Sequence, residues 1–499
     1  MNNWLNQSAY AISEAIHQRK LTCVELMTFS LDHINEHNPA FNAIVSLQEP
    51  DVLLAEAHQC DLEIGQGKSR GWLHGIPQAI KDLAATKGIA STRGSPLFAS
   101  NIPTQDALMV KRMRQAGALL IGKTNTPEFG LGSQTYNPVF GATANAWDPT
   151  RTSGGSSGGA AVALALRMLC VADGSDMGGS LRNPAGWNHV YGLRPTQGLV
   201  PKWPAADAFF SQLGTEGPMA RHAIDLAHLL AIQSGADPRA PLSVKQAPQQ
   251  FIALFNANNQ RPNSMAGLRI GWLGDLNGYL NTEPGVLAGC KQALNRFEAL
   301  GASIVEPGLS FDPEALWTAW IRIRSALVSL ELEPLFDDEV SRLKLKPEAQ
   351  WEVEHAKRLS ASQLMQASAV RTSFYQSWLS YFDHVDVLAL PSAQVHPYAL
   401  DRAWVGSING KAMDSYHRWM ETVIYATMAG SPALSVPAAF WDPVRELVLN
   451  EPIDAGALPI GIQMVAAPHQ DAQLLRLAHA YEKANEDFMH ARPPILRRS

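Results

Sequence analysis

Cysteine is scarce in this sequence, and so are charge of one sign and long apolar runs. Four cysteines, Cys23, Cys60, Cys170 and Cys290, are spread over 499 residues with no paired spacing. They exclude a disulfide framework and a cysteine-based zinc motif, and they read as buried free thiols in a reducing compartment. Net charge is −6 with no block of lysine and arginine, which argues against nucleic acid as a partner. The longest apolar stretch, AAVALALRMLCVA, is interrupted by Arg167 and is too short to cross a bilayer. The N-terminal MNNWLNQSAY lacks the basic start and apolar run of a secretion signal. What is plentiful is ordinary core material, 46% hydrophobic against 17% charged residues. That is enough for a large packed interior and too little charge for a disordered chain. The expectation is a cytoplasmic, soluble chain without a metal or cofactor and with no membrane partner.

Residues 1–70 predict N-terminal helices. Ser8 can cap a segment with Ile12 and Ile16 on one face, and Thr22 with Glu25 fits a capping box ahead of Met27, Leu31 and Ile34. Asn38-Pro39 predicts the end of that second helix. From residue 73 the texture changes. LHGIPQAIKDL, ALLIGKTN and MLCVADGSD are short apolar runs ending in glycine, lysine or acid, and helical stretches such as QDALMVKRMRQAG lie between them. That alternation predicts an α/β fold with crossover helices: one large domain, 1–499, over a central mixed, mostly parallel twisted sheet flanked by helices. Residues 311–380 read as helical, DVLALP (386–391) and IGIQMVAAP (460–468) as strands, and DAQLLRLAHAYEKAN as a final amphipathic helix. The 13 tryptophans, Trp203, Trp317, Trp320, Trp404 and Trp419 among them, read mostly as core.

The stretch TSGGSSGGAA, 152–161, is the most unusual in the chain. A phosphate-binding loop needs Lys and Ser or Thr where Ala160 and Ala161 stand. A flexible linker would not run straight into AAVALALRML, a strong helix former. G-x-S-x-G matches at both Ser156 and Ser157, but that elbow requires an acid and then a histidine downstream. With 15 histidines in the chain, candidates such as His189 or His396 carry little weight. Two further motifs read as decoys. His33-Ile-Asn-Glu36-His37 spells H-x-x-E-H but fits a solvated helix end, and Ser341-Arg-Leu-Lys344 spells S-x-x-K inside an exposed charged stretch.

Reading on, GGSSGGAAVALALRMLCVADGSDMGGSLRNPA, 154–185, resembles the signature of the amidase signature family. GIPQAIKDL (75–83), GKTNTPEFG (122–130), YGLRPTQGLVP (191–201), TEGPMAR (215–221) and AGSPALSVPA (429–438) extend the resemblance over most of the chain in the expected order. The resemblance implies a Ser–cis-Ser–Lys triad: Ser180 as nucleophile, Ser156 as bridging serine after a cis Gly155–Ser156 peptide, and Lys81 as base. Ser156 and Ser180 lie 24 positions apart, as the pattern requires. It implies an oxyanion hole from the amides of Met177, Gly178, Gly179 and Ser180. Ser157 would support the turn, Asp176 and Arg182 would pair to shape the loop, and Ser153 and Ser175 read as turn residues. The chemistry suits these types. A serine hydroxyl needs a base to become nucleophilic, and a lysine becomes one when burial disfavours its ammonium. Lys81 follows the apolar run Ile76–Ile80 and so ends a segment able to bury it.

By the same resemblance, 71–225 is the catalytic core and 300–450 shapes the pocket for a small-molecule amide. No cofactor is implied, and a homodimer is. The expected activity is hydrolysis of a carboxylic amide through a Ser180 acyl-enzyme. The alternatives are the glutaminase-like subunit of a tRNA-dependent amidotransferase, an esterase or aryl acylamidase of the same family, and a non-catalytic amide binder. Met177, Trp187 and His189 stand where many members carry threonine or smaller residues, and these departures bear on the substrate.

Overall fold

The computed structural model describes residues 3–255, 264–452 and 456–497. Met1 and Asn2, at the start of the N-terminal stretch read above, lie outside the described residues. Two sheets organise the chain. In the smaller, Leu119–Thr124 is central, parallel to Pro77–Lys81 and antiparallel to Ile44–Val45. Both longer strands are buried along their whole length, so they read as continuous apolar runs and not as alternating ones.

The larger sheet has nine strands. Its spatial order is Ser303–Val305, Arg269–Trp272, Val387–Pro391, Leu458–Ala466, Ala433–Asp442, Tyr191–Arg194, Thr215–Ala220 and Val171–Asp176, with Leu447–Leu449 paired off the side of Ala433–Asp442. The sheet is mixed, but the expected predominance of parallel pairs does not hold. Only Arg269–Trp272 pairs parallel with its neighbours, Ser303–Val305 and Val387–Pro391, and the other pairings are antiparallel. The reason lies in strand insertion. Val171–Asp176 and Tyr191–Arg194 are joined by the helix Arg182–Asn188 and run in one direction, as a crossover requires. The later strand Thr215–Ala220 then slots between them, antiparallel to both.

The helices fall largely where their patterns place them. Ser8 and Thr22 cap Ala9–His17 and Cys23–Phe41, the latter with a full capping box. Asn38-Pro39 does not end the second helix, which continues to Phe41 and stops at Asn42 in a left-handed conformation. Proline lacks only its own N–H. The Asn42 amide still reaches the Asn38 carbonyl at 2.7 Å, and the Asn38 side chain accepts from Ala43 and Ile44. The helical 311–380 region resolves into Pro313–Asp337, Glu339–Arg342, Pro347–Lys357 and Ala361–Tyr381. Trp317, Trp320 and Trp419 are core, whereas Trp404 is exposed. All four cysteines are free and buried.

Candidate active site

Three segments converge where the two sheets meet. The first is the strand Pro77–Lys81, whose last residue is Lys81. The second is the turn 154–157 leading into the helix Gly158–Ala165, all of whose residues are buried. The third is the strand Val171–Asp176, which runs through Met177–Ser180 into Arg182–Asn188. The glycines of the second segment are demanded by packing. A methyl group on Gly158 would sit 2.3 Å from Thr135 Oγ1, and one on Gly159 would sit 2.4 Å from the Asn125 backbone nitrogen. Gly154 adds a φ of +75°, and the Gly155–Ser156 peptide is cis, as expected.

Lys81 is 1% exposed, and its Nζ is surrounded by hydroxyls. It donates to Ser156 Oγ at 2.8 Å, to Ser157 Oγ at 2.8 Å and to Ser175 Oγ at 3.0 Å. Burial lowers its pKa from 10.5 to about 7 against the opposing pull of Asp173, Asp176 and Glu216. The neighbouring strand carries a second buried lysine, Lys123, opposite Ile80 in the register. Its Nζ turns to the Ala84 carbonyl at 2.6 Å and Thr86 Oγ1 at 2.8 Å, away from the serines. One residue of register thus separates the lysine at the serine cluster from one used for structure.

Ser180 joins this cluster through the backbone: the Ser157 amide donates to the Ser180 carbonyl at 3.2 Å. Among the described residues no hydrogen bond links the hydroxyls of Ser156 and Ser180. Asp176 shapes the turn between. It accepts from the amides of Gly179 at 3.0 Å and Leu181 at 3.1 Å, and from Arg182 Nε and Nη2 at 3.0 and 2.9 Å. Burial would raise the Asp176 pKa, but the Arg182 and Arg194 guanidinium groups outweigh it and hold the carboxylate well below its usual range. Arg182 also donates to Gln463 Oε1 and the Val423 carbonyl, tying the turn to a distant strand and a distant helical segment. Of the four amides named from the sequence, that of Gly179 is therefore taken by Asp176. Those of Met177, Gly178 and Ser180 have no acceptor among the described residues. Gly179 contributes instead its φ of +84° and its missing side chain, since a methyl there would meet Val423 Cγ2 at 2.5 Å.

Two participants had no such role in the sequence reading. Ser175 is a strand residue, not a turn residue, and its hydroxyl reaches Lys81. Asp173 accepts the Lys81 backbone N–H through both oxygens, at 3.3 and 3.2 Å. Both fall two residues apart on one strand, and that period was the available signal. Beside the turn, Gly178 faces Trp320, whose Cζ2 would lie 3.4 Å from a methyl at that position, and Met420 at 3.8 Å. Arg324 Nη1 donates to Met177 Sδ at 3.2 Å and Nη2 to the Tyr416 hydroxyl at 2.8 Å, while its Nε lies 2.9 Å from Glu352. Beyond the stacked pair Trp317–Trp320, a cleft of about 300 Å³ is lined by Trp317, Ser325, His355 and Asp414. Lys81, Ser156 and Ser180 are not among its lining residues.

The expected decoys are placed as follows. Ser341 sits on the short helix Glu339–Arg342, and Lys344 is exposed. His33 and His37 are buried and Glu36 is exposed, not all at a solvated end, and their ligand atoms lie within 4.8 Å of one another. His33 Nε2 is 2.6 Å from the Leu166 carbonyl.

A buried lysine amid serine hydroxyls, next to a glycine turn offering free amides, is the equipment of an acyl-transfer hydrolase. Known proteins make the class specific. The family model described as Amidase matches residues 25–475. The chain is 32% identical over 484 residues to an acylamidase from Rhodococcus erythropolis, covering 96% of this chain and 95% of that protein. It is 33% identical over 507 residues to a glutamyl-tRNA(Gln) amidotransferase subunit from an Azoarcus species, covering 97% and 98%. The solved structure of a bacterial aryl acylamidase of the amidase signature enzymes superposes with a TM-score of 0.85 at 26% identity, covering 98% of this chain and 99% of that one. The chain belongs to the amidase family, and it is a hydrolase acting on the carbon–nitrogen bond of amides.

Proposed function

We propose that the protein is a stand-alone amidohydrolase working through an acyl-enzyme on Ser180. The observation that carries this reading is the contact of the buried Lys81 amine, its pKa lowered to about 7, with Ser156 Oγ. Ser180 Oγ attacks the amide carbonyl, and its proton passes by way of Ser156 to Lys81. A hydroxyl can donate and accept at once, which suits Ser156 to the middle position. The link from Ser156 to Ser180 closes when substrate is bound, since catalytic hydrogen bonds are often long in a free enzyme. The C–N bond breaks as the same proton returns to the leaving amine or ammonia. Water then attacks the ester on Ser180, releasing the carboxylate and restoring the hydroxyl. The amides of Met177, Gly178 and Ser180 receive the developing oxyanion, with Gly179 holding the turn in shape. Ser157 and Ser175 steady the Lys81 amine, and the Asp176–Arg182 pair fixes the loop.

The wall beside Gly178 and Gly179, built from Trp320 and Met420 at the first and Val423 at the second, favours an apolar or aromatic group on the substrate. It supports a pocket shaped in part by residues of 300–450. The chain resembles the acylamidase and the amidotransferase subunit to a similar degree, so a glutaminase-type activity within a complex is the second reading. Size-exclusion chromatography of the protein with its co-purified partners, followed by assay on glutamine and on aryl amides, separates the two. For the mechanism itself, a fluorophosphonate probe labels the wild type, and Ser180→Ala abolishes labelling with the fold intact. Lys81→Ala slows it by roughly 10³-fold or more. Undiminished labelling of Ser180→Ala removes Ser180 from the nucleophile role.

A further inference from the structure

We infer that Glu216 is a positioning residue for Lys81: its carboxylate faces the serine cluster from the adjacent strand and sets where the amine–ammonium balance of Lys81 falls. This rests on the reading of Lys81 as the base. Val171–Asp176 and Thr215–Ala220 pair antiparallel, with Ser175 directly opposite Glu216. Directly opposed residues project from the same face of a sheet with side chains about 5 Å apart. The face is known, because Ser175 Oγ is 3.0 Å from Lys81 Nζ and Asp173, two residues earlier, accepts the Lys81 backbone N–H. Asp173, Ser175 and Glu216 therefore line the side on which Lys81 lies.

Three carboxylates act on the Lys81 charge, and two are already committed. Asp176 is held by Arg182 and Arg194, and Asp173 by the Lys81 amide and by the charge of Lys123. Glu216 is half-buried, and its carboxylate makes no hydrogen bond to any described residue. The charged groups that bear on it are Lys81, Asp173 and Lys202. Burial pushes its pKa up to about 7, the range into which burial lowers Lys81. Both groups therefore change charge over the same pH range, and each acts on the other through its charge. A glutamate anion stabilises the ammonium, so its removal leaves Lys81 a weaker hold on its proton.

The test uses the rate of fluorophosphonate inactivation of the purified full-length protein as a function of pH. In Glu216→Gln the acid limb moves to lower pH by roughly half a unit or more, while Glu216→Asp retains most of the wild-type profile. Glu216→Ala, tolerable at a half-buried position, gives the same downward shift and serves should the glutamine variant fold poorly. An acid limb in these variants that coincides with the wild type overturns the inference. Lys81→Ala in parallel separates the two claims. If it is slow while Glu216→Gln keeps the wild-type limb, only the role of Glu216 falls. If it reacts as fast as the wild type with the same profile, the reading of Lys81 falls and this one with it.

Discussion

At Lys81 two opposing forces act on one ammonium group. Burial favours the neutral amine, and the carboxylates of Asp173, Asp176 and Glu216 favour the charged one. Burial wins, with a pKa of about 7 against an ordinary 10.5. Activity should therefore rise as pH increases through about 7 and level off above it, because the proposed base works only when deprotonated. The rate of acyl-enzyme formation against pH measures this, and a rate that peaks well below neutrality excludes lysine as base. The same shift bears on stability. Between about 7 and 10.5 the unfolded chain binds a proton at this lysine that the folded chain releases, so the Lys81 contribution to stability grows with pH across that window. Asp176 shows the reverse balance. Its two guanidinium partners outweigh burial, which keeps an anion inside the molecule to hold the turn that carries Ser180.

At the scale of elements, the glycine-rich segment is a helix entry pressed against its neighbours. Gly159 lies against the Asn125 backbone, which cannot yield as a flexible side chain would. Gly159→Ala should destabilise the protein by about 2 kcal/mol or more. Gly308→Ala, where a methyl meets nothing within 4 Å, should be close to neutral. Chemical denaturation of both variants checks the pair, and equal stabilities would mean that the close approach is relieved at no cost. The glycine pattern was legible in the sequence, but its reason was only half so. Gly154 with its positive φ serves the turn that was anticipated, while Gly158 and Gly159 answer to Thr135, Ser153 and Asn125, residues that no local pattern connects to them. Ser175 makes the same point. As a residue of GSD it reads as a turn, and only the pairing of its strand with Thr215–Ala220 and its contact with Lys81 reveal a strand residue facing the cluster.

At the scale of the whole molecule, residues of 71–225 meet side chains from far along the chain. Trp320 and Met420 flank Gly178, Val423 closes on Gly179, and Arg182 reaches Gln463. If the indole of Trp320 forms a substrate wall, Trp320→Ala should raise KM for aryl amides several-fold with a smaller effect on kcat, and should affect small aliphatic amides less. Kinetics on a matched pair of such substrates tests this, and equal losses on both would assign Trp320 to the fold alone. No helix of the described residues is long and apolar enough to cross a membrane.

The sequence by itself determined the class of the protein and the residue types of its candidate site. Glycines, serines and a lysine at fixed spacings are local requirements of a turn and a strand end, and local requirements are written in local sequence. It also marked most helices, because capping and amphipathic spacing act within a few residues. Strand direction in the larger sheet, the register that turns Lys81 toward the serines and Lys123 away, the capture of the Gly179 amide by Asp176 and the aromatic wall beside Gly178 were decided only by the tertiary structure. Each of these depends on which distant segment comes to lie alongside, and that choice follows from packing the whole core at once and not from any stretch of neighbouring residues.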